Sequence, residues 1–336
     1  MKVFVFGAGA SKGSQEESPH GGHLEAPLVD ELFVQVYWRG PAFLHNDELA
    51  ECRQGALECG GSVERWLTER WERVESLKEE RSKSAEKAFF GRLTCHLWLL
   101  LQGVSDSYTL ASGYYQFLKR LRLKDEPFAL VSFNYDTLLD QAVQDCYGTP
   151  LLALRDYLSF GLIKPHGSVN WLLPRRDADP RIRGMARNDD VRARTATSML
   201  FNGPPHLVDR VVVLPPRVSS GTLRELLDGT DDDYSYPLLF MPLTTKLYTT
   251  VSAFYETVIA KANELLAQAS QVYLVGYRAA DDIIKEMFQR VAPGTPLHVV
   301  GRGRAGDVMK SVLSWATHLS QGEICDTGFM EFAKAY

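Results

Sequence analysis

No two cysteines in this chain are spaced to hold a metal. Cys52, Cys59, Cys95, Cys146 and Cys325 are scattered and none forms Cys-x-x-Cys, which argues against a structural zinc ribbon. The odd count, with no export signal, points to reduced thiols and a cytoplasmic location. Long hydrophobic runs are also missing. None approaches the ~20 apolar residues needed to cross a bilayer, so no membrane partner is expected. The short apolar run at the N-terminus ends in glycines and reads as a strand rather than a secretion signal. Positive charge is not in excess, since 37 Lys and Arg against 42 Asp and Glu leave a net charge of −5. The surface as a whole is therefore not built for nucleic acid, which would be reached at most through a partner. Internal repeats and long low-complexity linkers are absent too.

What is present is a recurrence of short, Val-rich apolar runs with helical patterns between them. The runs are Val3–Phe6, Phe128–Phe133, Leu162–Lys164, Val211–Leu214, Gln271–Val275 and Leu297–Val300. Such runs suit parallel strands buried on both faces. Asp136–Tyr147 sets Leu138, Leu139, Ala142 and Val143 on one helical face, and Ala280–Val291 groups Ile283, Ile284, Met287 and Phe288. The alternation predicts an α/β fold with a doubly wound, mostly parallel sheet. From about 47 to 123 no strand pattern occurs. Glu64–Leu77 and Ser84–Leu101 read instead as long amphipathic helices, so this stretch is expected to be a helical insertion. Arg175–Arg194 mixes Arg with Asp, Gly and Pro and reads as a solvated surface loop.

Four segments carry reactive or permissive residues just after apolar strands. In a parallel sheet such positions gather at the carboxyl edge, where open α/β folds bind ligands. Gly7-Ala8-Gly9-Ala10-Ser11 follows the first strand and can bring backbone N–H groups to a phosphate at a helix start. It lacks the lysine spacing of a nucleoside-triphosphate loop. Asn134 and Asp136 leave the strand Phe128–Phe133 two residues apart, so both can face one pocket. Asp136 reads equally as the cap of the helix that follows. His166 precedes Gly167, which leaves room for a ligand beside the imidazole, and histidine is the usual general base near neutral pH. Gly276-Tyr277-Arg278 ends another strand, where the glycine can admit a phosphate or adenosine and Arg278 can pair with a phosphate. The run His20-Gly21-Gly22-His23 has no helix to align its imidazoles and is not read as a metal site.

The ordered set resembles the sirtuin-like NAD-binding family, and within it the zinc-free bacterial branch associated with NAD hydrolysis in anti-phage defence. The resemblance is carried by Gly7-Ala8-Gly9-Ala10-Ser11, Pro27-Leu28, Phe133-Asn134-Tyr135-Asp136-Thr137-Leu138-Leu139-Asp140 and Lys164-Pro165-His166-Gly167-Ser168-Val169-Asn170-Trp171. Pro215-Pro216, Lys246 at the start of a helix, and Val275-Gly276-Tyr277 complete it. It implies a single Rossmann-like domain over residues 1–336, with the helical insertion and no zinc module. It implies that Asn134 serves the nicotinamide ribose, Asp136 the nicotinamide pocket, and His166 catalysis. Gly7, Ala8, Gly9, Ala10, Ser11, Gly167, Gly276, Tyr277 and Arg278 would then bind the dinucleotide. Three departures stand out. Phe133 replaces a glutamine usual in protein deacylases, Arg278 replaces a small hydroxyl residue, and Gly301-Arg302 replaces an asparagine near the adenosine ribose. With the zinc module missing, the first points away from deacylation, and the other two leave the adenosine end and the choice between NAD and NADP open.

The expected function is an NAD glycohydrolase, with NAD as substrate and no metal, acting as a regulated defence effector. The alternative is a module that senses NAD or ADP-ribose and controls a partner. With no second effector domain recognisable, the trigger is expected from self-assembly as a homo-oligomer or from a separate activating subunit. The insertion around Glu64–Leu101 is the expected surface for it.

Overall fold

A computed structural model describes residues 1–15, 25–33, 46–174, 211–218, 235–239 and 252–336. The His20–His23 run, the Arg175–Arg194 loop and the helix start at Lys246 lie outside the described residues. Among them the strands are β1 (Lys2–Phe6), β2 (Phe128–Ser132), β3 (Leu162–Ile163), β4 (Gly167–Pro174), β5 (Val212–Val213), β6 (Ser235–Leu239), β7 (Gln271–Val275), β8 (Pro296–Val300) and β9 (Ser320–Cys325). Six of them form one sheet in the order β3-β2-β1-β7-β8-β9, and every pairing in it is parallel. Helices flank the sheet, and the architecture is Rossmann-like α/β. Val3, Phe4, Val5 and Phe6 of β1 are fully buried, as a central strand covered on both faces must be.

The strands end level. Phe6 pairs with Ser132 on one side and Val275 on the other. Beyond the strand ends the ladder continues through Phe133 N–H to Phe6 O at 2.9 Å, Gly7 N–H to Val275 O at 3.0 Å and Gly276 N–H to Val300 O at 2.8 Å. The strand order reverses between β1 and β7, which is where open sheets of this kind leave a crevice.

Val211–Leu214, expected in the parallel sheet, instead supplies β5, which joins β4 and β6 in a separate antiparallel sheet. Its two residues are too short and too exposed for a core parallel strand, with Val212 at 41% exposure. The sixth parallel strand, β9, has no apolar run to betray it, because it is an edge strand and its Gln321, Glu323 and Ile324 face solvent.

The helices of the first half are α1 (Ala8–Ser14), α2 (Asn46–Glu58), α3 (Val63–Ser76), α4 (Glu80–Ser105), α5 (Gly113–Lys124), α6 (Leu138–Tyr147) and α7 (Leu154–Phe160). Those of the second half are Ser252–Ala267, Asp282–Phe288, Ala305–Trp315 and Phe329–Ala335. The α2–α4 helices build a second core around Cys52, Trp66, Leu67, Trp71, Phe90 and Trp98, and Val169, Leu172 and Leu239 of the small sheet close it. Helix α5 does not belong to that core. Its Tyr114, Phe117, Leu118 and Leu121 lie in the main one, so the insertion with a core of its own is shorter than the expected 47–123. The small sheet bridges the two cores, since Trp171, Val213 and Leu238 face the main core. Within the second core the Trp98 indole N–H of α4 donates to Val169 O of the small sheet at 2.7 Å.

Candidate functional site

The loops that leave β1 and β7 interlock. The Gly9 N–H donates to Gly276 O at 2.9 Å, and the Ala10 N–H to Gly7 O at 2.8 Å. Gly276 sits at φ +58°, and a Cβ there would lie 2.1 Å from Ala10 N; only glycine tolerates both the angle and the approach. A Cβ on Gly7 would strike the Tyr277 ring at 2.5 Å. The glycines were read from sequence as room for a phosphate. In this state that room is filled by the neighbouring loop, and two of the N–H groups are engaged within the protein.

Asn134 and Asp136 do converge, as an extended strand exit requires. The Asn134 amide nitrogen lies 2.8 Å from Gly7 O, 2.9 Å from Ser11 Oγ and 3.1 Å from the Tyr114 hydroxyl. Ser11 Oγ donates onward to Asp136 Oδ2 at 2.8 Å. The other oxygen, Oδ1, accepts the Leu138 N–H at 3.2 Å, so Asp136 also performs the capping role at α6. Burial pushes the Asp136 carboxyl above its ordinary range, partly opposed by the Lys164 ammonium and the Ser11 hydroxyl.

Lys164 is itself buried. Its ammonium contacts Asp140 Oδ2 at 3.0 Å and donates to Asp136 O and Ser168 Oγ, each at 2.7 Å. The network continues from the Tyr157 hydroxyl to Asp140 Oδ1 at 2.8 Å and from Asn170 Nδ2 to that hydroxyl at 3.0 Å. It pins α6, α7 and β4 to the end of β3.

His166 lies between aromatic rings. The Phe133 ring meets it edge-on at 4.7 Å and the Tyr135 ring stacks on it at 5.9 Å. Its Nε2 is 2.9 Å from Asp281 Oδ2, a partner the sequence reading missed. Gly167 makes no room for a ligand. It adopts φ +79°, and a Cβ there would lie 2.0 Å from Leu238 O, so the glycine serves the turn into β4 and the close approach of β6. Arg278 lies 2.7 Å from Asp30, and Lys12 2.8 Å from Glu31. Arg278, expected to meet phosphate, and Lys12 are thus both paired to the short helical turn Val29–Glu31. Although burial opposes it, Lys12 and the Leu28 N–H hold the Glu31 carboxyl below its ordinary value.

Asn134, Asp136, His166, Arg278, Asp281 and the two glycine loops line one cavity of about 370 Å³ at the switch point. Its far wall comes from the insertion, through Gly60, Gly61, Ser62, Glu64, Leu97 and Leu101. Tyr277 lines it and stacks on Phe133 at 4.7 Å, and the buried Tyr277 hydroxyl has no hydrogen-bond partner. Every residue assigned to the site from sequence lies in or beside this cavity, except that Gly167 is used structurally. Tyr114, Glu64 and Asp281 were missed. Only Asp281 left a sequence trace, as an acidic residue at a helix start five residues after Gly276. Among the described residues no group of three or more His, Cys, Asp or Glu side chains could hold a metal, and no helix is long and apolar enough to cross a membrane.

Comparison with protein-family models found no match, and comparison with curated proteins found none either.

Proposed function

We propose that the chain hydrolyses NAD to nicotinamide and ADP-ribose. The observation that carries this reading is the convergence of His166, Asn134 and Asp136 with both glycine loops on one cavity at the switch point of a parallel sheet. Its volume falls within the ~300–1,000 Å³ of small-ligand pockets. The motifs shared with sirtuin-like NAD hydrolases supply the substrate class.

In the reaction the bond between the nicotinamide nitrogen and the ribose anomeric carbon breaks, and water adds to that carbon. The Asn134 amide nitrogen is engaged by Gly7, Ser11 and Tyr114, so the amide oxygen is the atom that would orient the water. His166 would accept a proton from the attacking water or from a ribose hydroxyl. The aromatic walls Phe133, Tyr135 and Tyr277 exclude bulk solvent around the cationic transition state. The rim cations paired to Asp30 and Glu31, and the interlocked loops, suit a resting state that a trigger opens. That fits a regulated effector of anti-phage defence in the cytoplasm, activated by self-assembly or by another subunit.

The engaged Asn134 nitrogen also favours a second reading, in which the loops hold NAD or ADP-ribose and signal to a partner without turnover. Purified protein incubated with NAD and analysed by chromatography, with calorimetric binding alongside, separates the two. Nicotinamide and ADP-ribose from wild type, and bound but uncleaved NAD in His166→Ala, are expected. Binding without products, in the presence of the activator, would instead establish the sensor.

A further inference from the structure

We infer that Asp281 is a positioning residue for His166, fixing which ring nitrogen carries the proton and how the imidazole faces the cavity. The inference rests on the reading of His166 as the reacting group. The two side chains are each only 7% exposed and their atoms lie 2.9 Å apart. A carboxylate can only accept, so Nε2 carries the proton and Nδ1 is the basic nitrogen in that tautomer.

Asp281 is held from behind. Its Oδ1 accepts the Ile283 N–H at 2.9 Å as the N-cap of the helix Asp282–Phe288. One oxygen is therefore locked by the helix start and the other is presented to the imidazole. The loop that delivers it runs from Gly276 at φ +58° through Ala279 at φ +53°. A non-glycine residue in the left-handed region is a conformation that surrounding structure must hold. The same loop carries Tyr277, which stacks on Phe133, and Phe133 in turn meets His166 edge-on. The imidazole is thus set by a ring on one side and a carboxylate on another, and both belong to the strand end of β7 or pack directly against it. Other ionisable groups around Asp281 and the rings are Glu64 and the Tyr135 and Tyr277 phenols. Burial pushes both phenols well above their ordinary values, so they stay neutral.

Two variants separate the cap from the pairing. Asp281→Asn keeps a good capping oxygen but turns an N–H₂ toward His166, which forces the opposite tautomer. Asp281→Ser keeps the cap with a side chain too short to reach the imidazole. Nitrogen-15 spectra of the full chain labelled at histidine, with His166 assigned by its loss in His166→Gln, read the proton position without any substrate. Above the ordinary imidazole pKa, wild type should show His166 protonated on Nε2, and Asp281→Asn should show it on Nδ1. Thermal unfolding of both variants should stay close to wild type. For NAD cleavage, Asp281→Asn should lose about a hundredfold or more in kcat with little change in NAD affinity. An unchanged His166 tautomer in Asp281→Asn and Asp281→Ser would overturn the inference. Wild-type protein that leaves NAD intact would overturn the glycohydrolase reading instead, and the tautomer spectra would still decide the role of Asp281.

Discussion

At the scale of single residues, two side chains that face one cavity do different work. His166 pairs with Asp281 and packs against the Phe133 and Tyr135 rings, and its removal takes no residue out of either hydrophobic core. His166→Ala should therefore lower NAD cleavage about a hundredfold to ten-thousandfold with a melting temperature near wild type. Near-wild-type cleavage would remove it from the mechanism. Asn134 is different, because its amide ties Gly7, Ser11 and Tyr114 together, and truncating it would unpin the first loop as well as lose an amide oxygen. Asp136 allows a test by pH. Its folded pKa is raised by burial, so its contribution to stability is full below the unfolded value of about 3.9. That contribution is lost as pH climbs through the raised one. Asp136→Asn keeps the Leu138 cap and can donate to Ser11. Its melting temperature relative to wild type should rise between acidic and neutral pH; a constant difference would show that Asp136 folds with an unperturbed carboxyl. Asn134, Asp136 and His166 were legible because each follows an apolar run that could only be a buried strand. Asp281 was not, because its role depends on the loops after β3 and β7, which β2 and β1 separate in the sheet, meeting over the carboxyl edge, and nothing local in Ala279-Ala280-Asp281-Asp282 differs from an ordinary helix start.

Among elements, the interlock of the two glycine loops is the feature most open to test. In Gly276→Ala the new Cβ would meet backbone atoms of Gly9 and Ala10, at 2.4 and 2.1 Å, and no side chain can rotate to relieve it. The left-handed angle adds a further cost of about 1–2 kcal/mol. The variant should lose several degrees of melting temperature and lose NAD affinity with it. A variant as stable as wild type would mean that the loops can part at little cost. Element types were legible wherever burial is complete. β1, β2, β7 and β8 each read as a continuous apolar run because both faces are covered. The pattern failed at the margins. β9 presents polar side chains at the sheet edge, and β4 alternates Ser168-Val169-Asn170-Trp171 but buries the polar residues inside a hydrogen-bond network instead of facing them to water. Helix α5 was grouped with the insertion because its own apolar face says nothing about which core it meets.

For the whole molecule, two cores share one small sheet, and the Trp98–Val169 hydrogen bond is a buried polar tie from α4 to that sheet, inside the insertion's core. Trp98→Phe removes the donor and leaves the Val169 carbonyl without it, at a cost of about 1–3 kcal/mol, read by denaturant unfolding. An unchanged midpoint would show that the cores do not depend on this bond. The sheet order carries another consequence. β1 lies between β2 and β7, so during synthesis β1 waits for a neighbour that follows it by more than 250 residues. Until residue 281 has emerged from the ribosome, the Gly7 loop lacks its interlocking partner and His166 lacks its carboxylate. A chain cut short upstream of β7 therefore holds the asparagine, the histidine and the insertion wall but lacks Tyr277, Arg278 and Asp281, and the cavity closes late, only after β7 and the loop beyond it have been made.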